Sequence, residues 1–111
     1  MTPADRSRAN PPAYAGSPAF TDGGLQAVLL RDFRADLIYW ISSDRRTALR
    51  IMRLIEEILK DPFSGIGKPE PLKYDQAGKW SRRITDADRI TYTVTNLAIY
   101  FARARHHYGR R

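Results

Sequence analysis

With 111 residues and no cysteine, the chain is long enough for one domain with a modest core and has no disulfide framework. Its mean hydropathy is −0.52 and no apolar run approaches the roughly 18 residues of a membrane span, so we expect a cytoplasmic protein with no membrane partner. The formal charge of +7 is concentrated after residue 59, where eleven basic residues stand against five acidic ones, and this favours a polyanion or an acidic protein as partner.

Residues 1–24 are rich in Pro, Ala, Ser and Gly and show no hydrophobic period. Such a composition cannot bury enough apolar surface to offset the entropy lost on ordering. The sequence therefore predicts a disordered leader at residues 1–24 and one folded domain at residues 25–111. A functional tail remains an alternative to a passive leader.

A strand and a short helix are expected to open the domain. The apolar run Leu25–Leu30 is typical of a first strand. Asp32 is a candidate helix cap, because a carboxylate there can accept from free backbone N–H groups in the first turn. Apolar residues then recur at helical spacing at Phe33, Leu37, Trp40 and Ile41.

A second, longer helix follows, with Ser43 or Asp44 as the expected cap. The helix should end at Asp61-Pro62, since the residue before a proline is pushed out of the α region. Charged side chains occupy its solvated face. Its apolar positions repeat every three or four residues at Ala48, Ile51, Met52, Ile55, Ile58 and Leu59.

From Pro71 onward the hydrophobic period changes to two, which predicts short strands. The four predicted strands are Glu70–Lys73, Trp80–Ile84, Arg89–Thr95 and Ala98–Arg105. Two helices followed by such strands predict an α+β domain, with the helices packed on one face of a small, mainly antiparallel sheet. In the strand 89–95 the apolar residues alternate with polar ones, so Arg89 is expected on the open face.

The register of the hairpin between the second and third of these strands is open. A four-residue turn, 85–88, would pair Ile84 with Arg89 and turn Arg83 to the opposite side. A five-residue turn, 84–88, would pair Arg83 with Arg89 and place both on the open face.

Residues 65–89 hold most of the side chains that RNA cleavage needs. Glu70 lies between two prolines, and five cations surround it in sequence: Lys68, Lys73, Arg82, Arg83 and Arg89. Cleavage by the RNA's own 2′-hydroxyl requires a base, an acid and cations that stabilise charge on phosphorus, with no metal or cofactor. Glutamate and histidine suit the first two roles, and His107 is available at the far end of the chain.

Each of these residues also has an ordinary interpretation. Glu70 could be an exposed carboxylate paired with a nearby lysine. One of the adjacent Arg82 and Arg83 could be merely solvated, because neighbours in a strand face opposite sides. Trp80 is more typical of core or edge packing than of base stacking, and His107 of a surface histidine. The spacing of these residues alone does not establish that the protein is a ribonuclease.

Residues 28–108 resemble the YoeB toxins of the RelE/ParE superfamily. The matching motifs are Tyr39-Trp40, Asp61-Pro62-Phe63, GIGKPEPLK at 65–73, WSRRI at 80–84, Arg89 and His107-Tyr108. The resemblance implies a microbial-RNase-like fold that is often dimeric. It also implies a ribosome-dependent mRNA endonuclease that is active in the decoding site and is silenced by an acidic YefM-type antitoxin.

The same resemblance assigns roles to individual residues. Glu70 matches the general base, His107 the general acid and Arg89 the arginine that stabilises the phosphorane. Lys73 and Arg83 match phosphate-contacting cations. Tyr108 matches the terminal tyrosine and is assigned with them to substrate or phosphate binding. The resemblance also favours the five-residue turn.

The chain departs from the family pattern at a few positions. Tyr74 and His106 stand where the family has His and Tyr, and residues 109–111 follow the tyrosine. Two functions remain as alternatives: a ParE-like toxin that binds DNA gyrase without chemistry, and a basic nucleic-acid-binding module. Neither of them needs the set of Glu70, Arg89 and His107.

Overall fold

The computed structural model describes residues 25–73 and 78–106, so the predicted leader lies outside the described residues. Its elements are strand β1 (Gln26–Leu29), helices α1 (Arg31–Ser43) and α2 (Arg45–Lys60), and strands β2 (Glu70–Pro71), β3 (Lys79–Arg83), β4 (Arg89–Val94) and β5 (Ala98–Arg103). Over these two stretches no helix has the length and apolar character needed to cross a membrane.

All five strands form one sheet in the order β1-β5-β4-β3-β2. Neighbouring strands from β2 to β5 run antiparallel, whereas β1 pairs in parallel with β5. The parallel pair is possible because both helices lie in the connection that follows β1. The predicted α+β class and mainly antiparallel sheet are confirmed.

The core lies between the two helices and one face of the sheet. The helices contribute Phe33, Trp40, Ala48, Ile51, Leu54, Ile55 and Ile58, and the sheet side contributes Ile84, Ile90, Tyr92, Ile99, Phe101 and Ala104. Alternation in β4 therefore works as predicted, with Ile90 and Tyr92 in the core. Val94 is partly buried against the same core. Arg89, Thr91 and Thr93, at the alternate positions, face away from the helices.

Two helix predictions were wrong in detail. The first residue of α1 is Arg31 and its N-cap is Leu30, without a side-chain hydrogen bond, so Asp32 lies in the first turn instead of capping it. Ile41 and Met52 are 59% and 45% exposed, although both belong to the apolar helical repeats. Each follows a buried residue directly, and a helical step of about 100° turns it out of the packed face.

The second helix begins and ends where the sequence indicates. Asp44 is its N-cap and accepts a hydrogen bond from the Thr47 backbone N–H. The Thr47 hydroxyl also donates to this carboxylate, and this bond, together with the backbone bond, holds the pKa of Asp44 below its usual value. Asp61 is the C-cap, as expected for a residue that precedes proline.

Helix α1 also anchors the end of β5. The Asp36 carboxylate is buried and accepts from Arg103 Nε at 2.9 Å and from the Ala104 backbone N–H at 2.9 Å. Trp40 Nε1 donates to the Ala104 carbonyl at 2.7 Å. The hydrogen bonds to Asp36 raise the pKa of Arg103. These contacts fix the path of the chain as it leaves the sheet.

Candidate active site

The β3–β4 hairpin places two arginines side by side on the open face. Arg83 pairs with Arg89 across the strands, and the Ile84 N–H donates to the Asp88 carbonyl at 2.9 Å. The five-residue turn, 84–88, is therefore confirmed. Within it the Thr85 hydroxyl donates to the Asp88 carboxylate at 2.8 Å and keeps the turn closed.

Strand β2 brings Glu70 next to the second of these arginines, Arg89. Its backbone pairs with Ser81 of β3, and its Oε1 lies 3.5 Å from Arg89 Nη1. The same Arg89 nitrogen donates to the Ser81 hydroxyl at 3.4 Å. Glu70 and Arg89 therefore meet over Ser81, although 19 residues separate them in the chain.

The contact between Glu70 and Arg89 is loose. A separation of 3.5 Å is at the long limit of a hydrogen bond, and the Glu70 side chain is 62% exposed. An exposed ion pair of this kind contributes little to stability. An incoming phosphate can therefore bind the Arg89 guanidinium in place of Glu70 at little cost in free energy. The Glu70 carboxylate is then accessible as a proton acceptor.

Three other cations are close to Glu70 or Arg89, either in sequence or across the β3–β4 pair. Arg83 and Lys73 are both exposed, and Lys73 lies two residues beyond the end of β2. Lys68 is exposed too, and its φ of 51° belongs to the left-handed region, where the chain turns into β2. Together with Arg89, these exposed cations give this part of the surface an excess of positive charge, which favours binding of a phosphate backbone. Within 25–73 and 78–106, no group of three or more His, Asp or Glu could hold a metal ion.

The end of the described chain lies against the same hairpin. The His106 carbonyl accepts from the Arg89 backbone N–H at 3.1 Å, and the His106 N–H donates to the Asp88 carboxylate. The predicted acid His107 and the predicted phosphate contact Tyr108 lie outside the described residues, so both assignments stay predictions.

Sequence reasoning missed the roles of two residues in the WSRRI motif. Ser81 lies beneath the site with 1% exposure, and its partnership with Glu70 depends on the β2–β3 register. Arg82 is fully buried on the helix side, so the arginine left in solvent is Arg83. Trp80 packs against Phe63 with ring centroids 5.1 Å apart, in line with the expectation of edge packing.

The family model of the YoeB-like toxin of bacterial type II toxin-antitoxin system matches residues 30–108. The chain belongs to the YoeB toxin family. Toxin RelK of Mycobacterium tuberculosis is 52% identical over 73 residues, which are 66% of this chain and 86% of that protein. Toxin YoeB of Escherichia coli K12 is 45% identical over 73 residues, which are 66% of this chain and 87% of the relative.

Solved structures agree with the architecture of this YoeB-family toxin. A YoeB/ParE toxin from Agrobacterium tumefaciens aligns with a TM-score of 0.72 and 38% identity, covering 76% of this chain and all of the other. The YoeB dimer from Staphylococcus aureus aligns with a TM-score of 0.71 and 32% identity, over 77% and 99% of the two chains. YoeB in the heterotetrameric YoeB-YefM complex from the same organism aligns with a TM-score of 0.68 and 33% identity, over 76% and 98%.

Proposed function

We propose that this type II toxin is a ribosome-dependent endoribonuclease that cuts translated mRNA through the 2′-hydroxyl of the RNA. The meeting of Glu70 and Arg89 on the open face is the observation that carries the proposal. When a carboxylate and a guanidinium share one small surface, the carboxylate can accept a proton and the guanidinium can bind a phosphate in the same step. Cutting mRNA on the ribosome would also place the toxin in the cytoplasm.

In the proposed reaction, Glu70 takes the proton of the 2′-hydroxyl, and the 2′ oxygen attacks the adjacent phosphorus. Arg89 and Arg83 stabilise the extra negative charge on the phosphorane, since a planar guanidinium can donate two parallel hydrogen bonds to phosphate. His107 donates a proton to the departing 5′ oxygen. The products are a 2′,3′-cyclic phosphate and a free 5′-hydroxyl, with no metal or cofactor in the step.

The other exposed cations are assigned to substrate binding. We assign Lys73 to a neighbouring phosphate because it is exposed and lies two residues beyond the end of β2. Tyr108 is assigned to the same surface from the family motif. These contacts carry no base specificity, because phosphates are alike in every codon.

The proposal is tested by comparing Glu70→Ala with Glu56→Ala, a matched control on the exposed face of α2. In a bacterial cell-free translation system, the parent and Glu56→Ala should cut the translated mRNA and stop protein synthesis. Glu70→Ala should cut it about 10²-fold more slowly or worse, as expected when a general base is removed.

Two other outcomes would replace the proposed function. Inhibition of DNA gyrase supercoiling by all three proteins, with mRNA left intact, would indicate a ParE-like toxin. Inhibition of translation by Glu70→Ala at the parent level, without cleavage, would indicate a binding module.

An acidic YefM-type antitoxin is the partner that we propose for the basic face. The S. aureus relative is seen with YefM in a complex, and the exposed cations around Glu70 suit an acidic segment that folds on binding. Such a segment would cover the site and silence the toxin.

We expect association with the antitoxin to slow as ionic strength rises. Long-range attraction between opposite charges accelerates encounter and is screened by salt, whereas dissociation depends mainly on short-range contacts. Stopped-flow measurement of both rates between low and high salt checks this. An association rate indifferent to salt would contradict an electrostatic encounter.

A further inference from the structure

Arg82 is a buried cation next to the candidate site, and the proposed reaction does not use it. Its relative exposure is 0%. Its hydrogen bonds all go to neutral oxygen atoms, which are the carbonyls of Asp61, Ser64 and Ile66 and the hydroxyl of Tyr92. Three of these four contacts hold backbone carbonyls of a single loop.

That loop connects α2 to Glu70. It runs from Asp61 to Gly67, and it is tied to the same strand at a second point, where the Arg83 N–H donates to the Gly67 carbonyl at 2.6 Å. Only Lys68 and Pro69 then separate the loop from Glu70. The position of the loop therefore sets where β2 begins and where the carboxylate lies.

The loop is shaped around the guanidinium. A Cβ on Gly65 would lie 3.1 Å from Arg82 Nη1, which is closer than most real contacts allow. Gly65 also has a φ of 124°, a backbone conformation that favours glycine. Tyr92 completes the arrangement, because its hydroxyl accepts from Arg82 Nε at 3.2 Å and donates to the Pro62 carbonyl at 2.7 Å.

Arginine is the side chain that meets this need. It has five N–H donors in a fixed plane, whereas lysine has three on a flexible stem. Replacing it with methionine would keep much of the volume but leave three loop carbonyls without their donor. These carbonyls are only partly buried, so the loop would move to give them water in place of the lost donor.

We propose that Arg82 is a positioning residue for Glu70: through the 61–67 loop it holds β2 on β3, with Glu70 opposite Ser81 and beside Arg89. The proposal rests on the proposed function for its catalytic consequence. The structural part, that Arg82 holds β2 in place, can be tested without any activity.

The catalytic test is a double-mutant cycle with single-turnover cleavage of ribosome-bound mRNA. Arg82→Met should lower the rate constant at saturating ribosome about 10- to 10²-fold, as expected when a catalytic group is displaced by about 1 Å, with the half-saturating ribosome concentration unchanged. In a Glu70→Ala background the same change should cost no more than about twofold, since residues that act as a unit are not additive. Equal losses in both backgrounds would overturn the proposal.

Two further variants separate positioning from general destabilisation. Ile99→Val shrinks a buried residue of β5, a strand that β4 separates from β3 and the loop bound to it. It should leave the cleavage rate at the parent value, and a loss as large as that of Arg82→Met would overturn the proposal. Tyr92→Phe keeps the ring and removes only the hydroxyl, so it should give a smaller loss of the same kind, even where Arg82→Met does not fold.

Amide hydrogen exchange tests the structural part. The Leu72 N–H donates to the Lys79 carbonyl at 2.8 Å and reports the β2–β3 pairing directly. Arg82→Met and Tyr92→Phe should lower the protection of the Leu72 and Arg83 amides while the amides of β4 and β5 keep theirs. Unchanged protection at Leu72 would overturn the positioning role. If instead the parent protein cuts no mRNA, the proposed function fails, and the exchange result still decides whether Arg82 holds β2.

Discussion

His107→Ala should cut normal mRNA slowly, yet cut a substrate with sulfur in place of the bridging 5′ oxygen at nearly the parent rate. An alkoxide is a poor leaving group and needs a proton, whereas a thiolate departs without one. General acid catalysis is typically worth about 10²–10⁴-fold, so the loss on the oxygen substrate and the recovery on the sulfur substrate should both be of that size. Single-turnover cleavage of both substrates on the ribosome measures this.

Glu70→Ala and Arg89→Ala should stay slow on both substrates. The proton on the 2′ oxygen must leave whatever the departing group is, and charge on phosphorus must still be stabilised. Arg53→Ala, which removes an exposed arginine from α2, is the matched control for Arg89 and should leave both rates unchanged. Rescue of Glu70→Ala with no rescue of His107→Ala would reverse the assignment of acid and base.

Much of the fold was predictable because its local signals agree with one another. The apolar repeat of α2, its Asp44 cap and the Asp61-Pro62 end all indicate the same helix, and the structure has it at Arg45–Lys60. Alternation in β4 likewise indicates which side chains enter the core. The parallel pairing of β1 with β5 had no such signal, because strand partners far apart in sequence are not set by local periodicity.

Sequence reasoning was weakest where a side chain's environment is built by distant backbone. An arginine in a strand is usually solvated, and nothing local predicts that Arg82 will bond carbonyls 16 to 21 residues earlier in the chain. Asp36 is a similar case, since its partners Arg103 and Ala104 lie 67 and 68 residues away. For both Arg82 and Asp36, burial of the charge is possible only because several hydrogen-bond donors or acceptors converge on the side chain.

The register of the β3–β4 hairpin decides whether Arg83 lies on the open face or on the opposite face. From the residues, turns of four and five residues were equally acceptable, and only the family resemblance favoured the longer one. The difference decides which face Arg83 occupies, because a one-residue slip turns every side chain of a strand over. With five residues in the turn, Arg83 lies opposite Arg89 and joins the site.

The open face also predicts that the ribosome supplies much of the catalytic power. The Glu70 side chain is 62% exposed and its contact with Arg89 is long, so this part of the site is open to solvent and loosely arranged. A flexible RNA would have to reach an in-line geometry by chance, whereas mRNA held in the decoding site arrives already oriented. Orientation of this kind is worth several powers of ten in model reactions.

The same mRNA should therefore be cut about 10²-fold faster or more when it is bound to a translating ribosome than when it is free, under single-turnover conditions. Glu70→Ala on the ribosome controls for cleavage by contaminating nucleases, and occupation of the decoding site by a cognate tRNA should slow the parent to the rate on free RNA. Equal rates on free and ribosome-bound mRNA would mean that the toxin orients its own substrate. The looseness of the Glu70–Arg89 contact would then have to disappear when RNA alone binds.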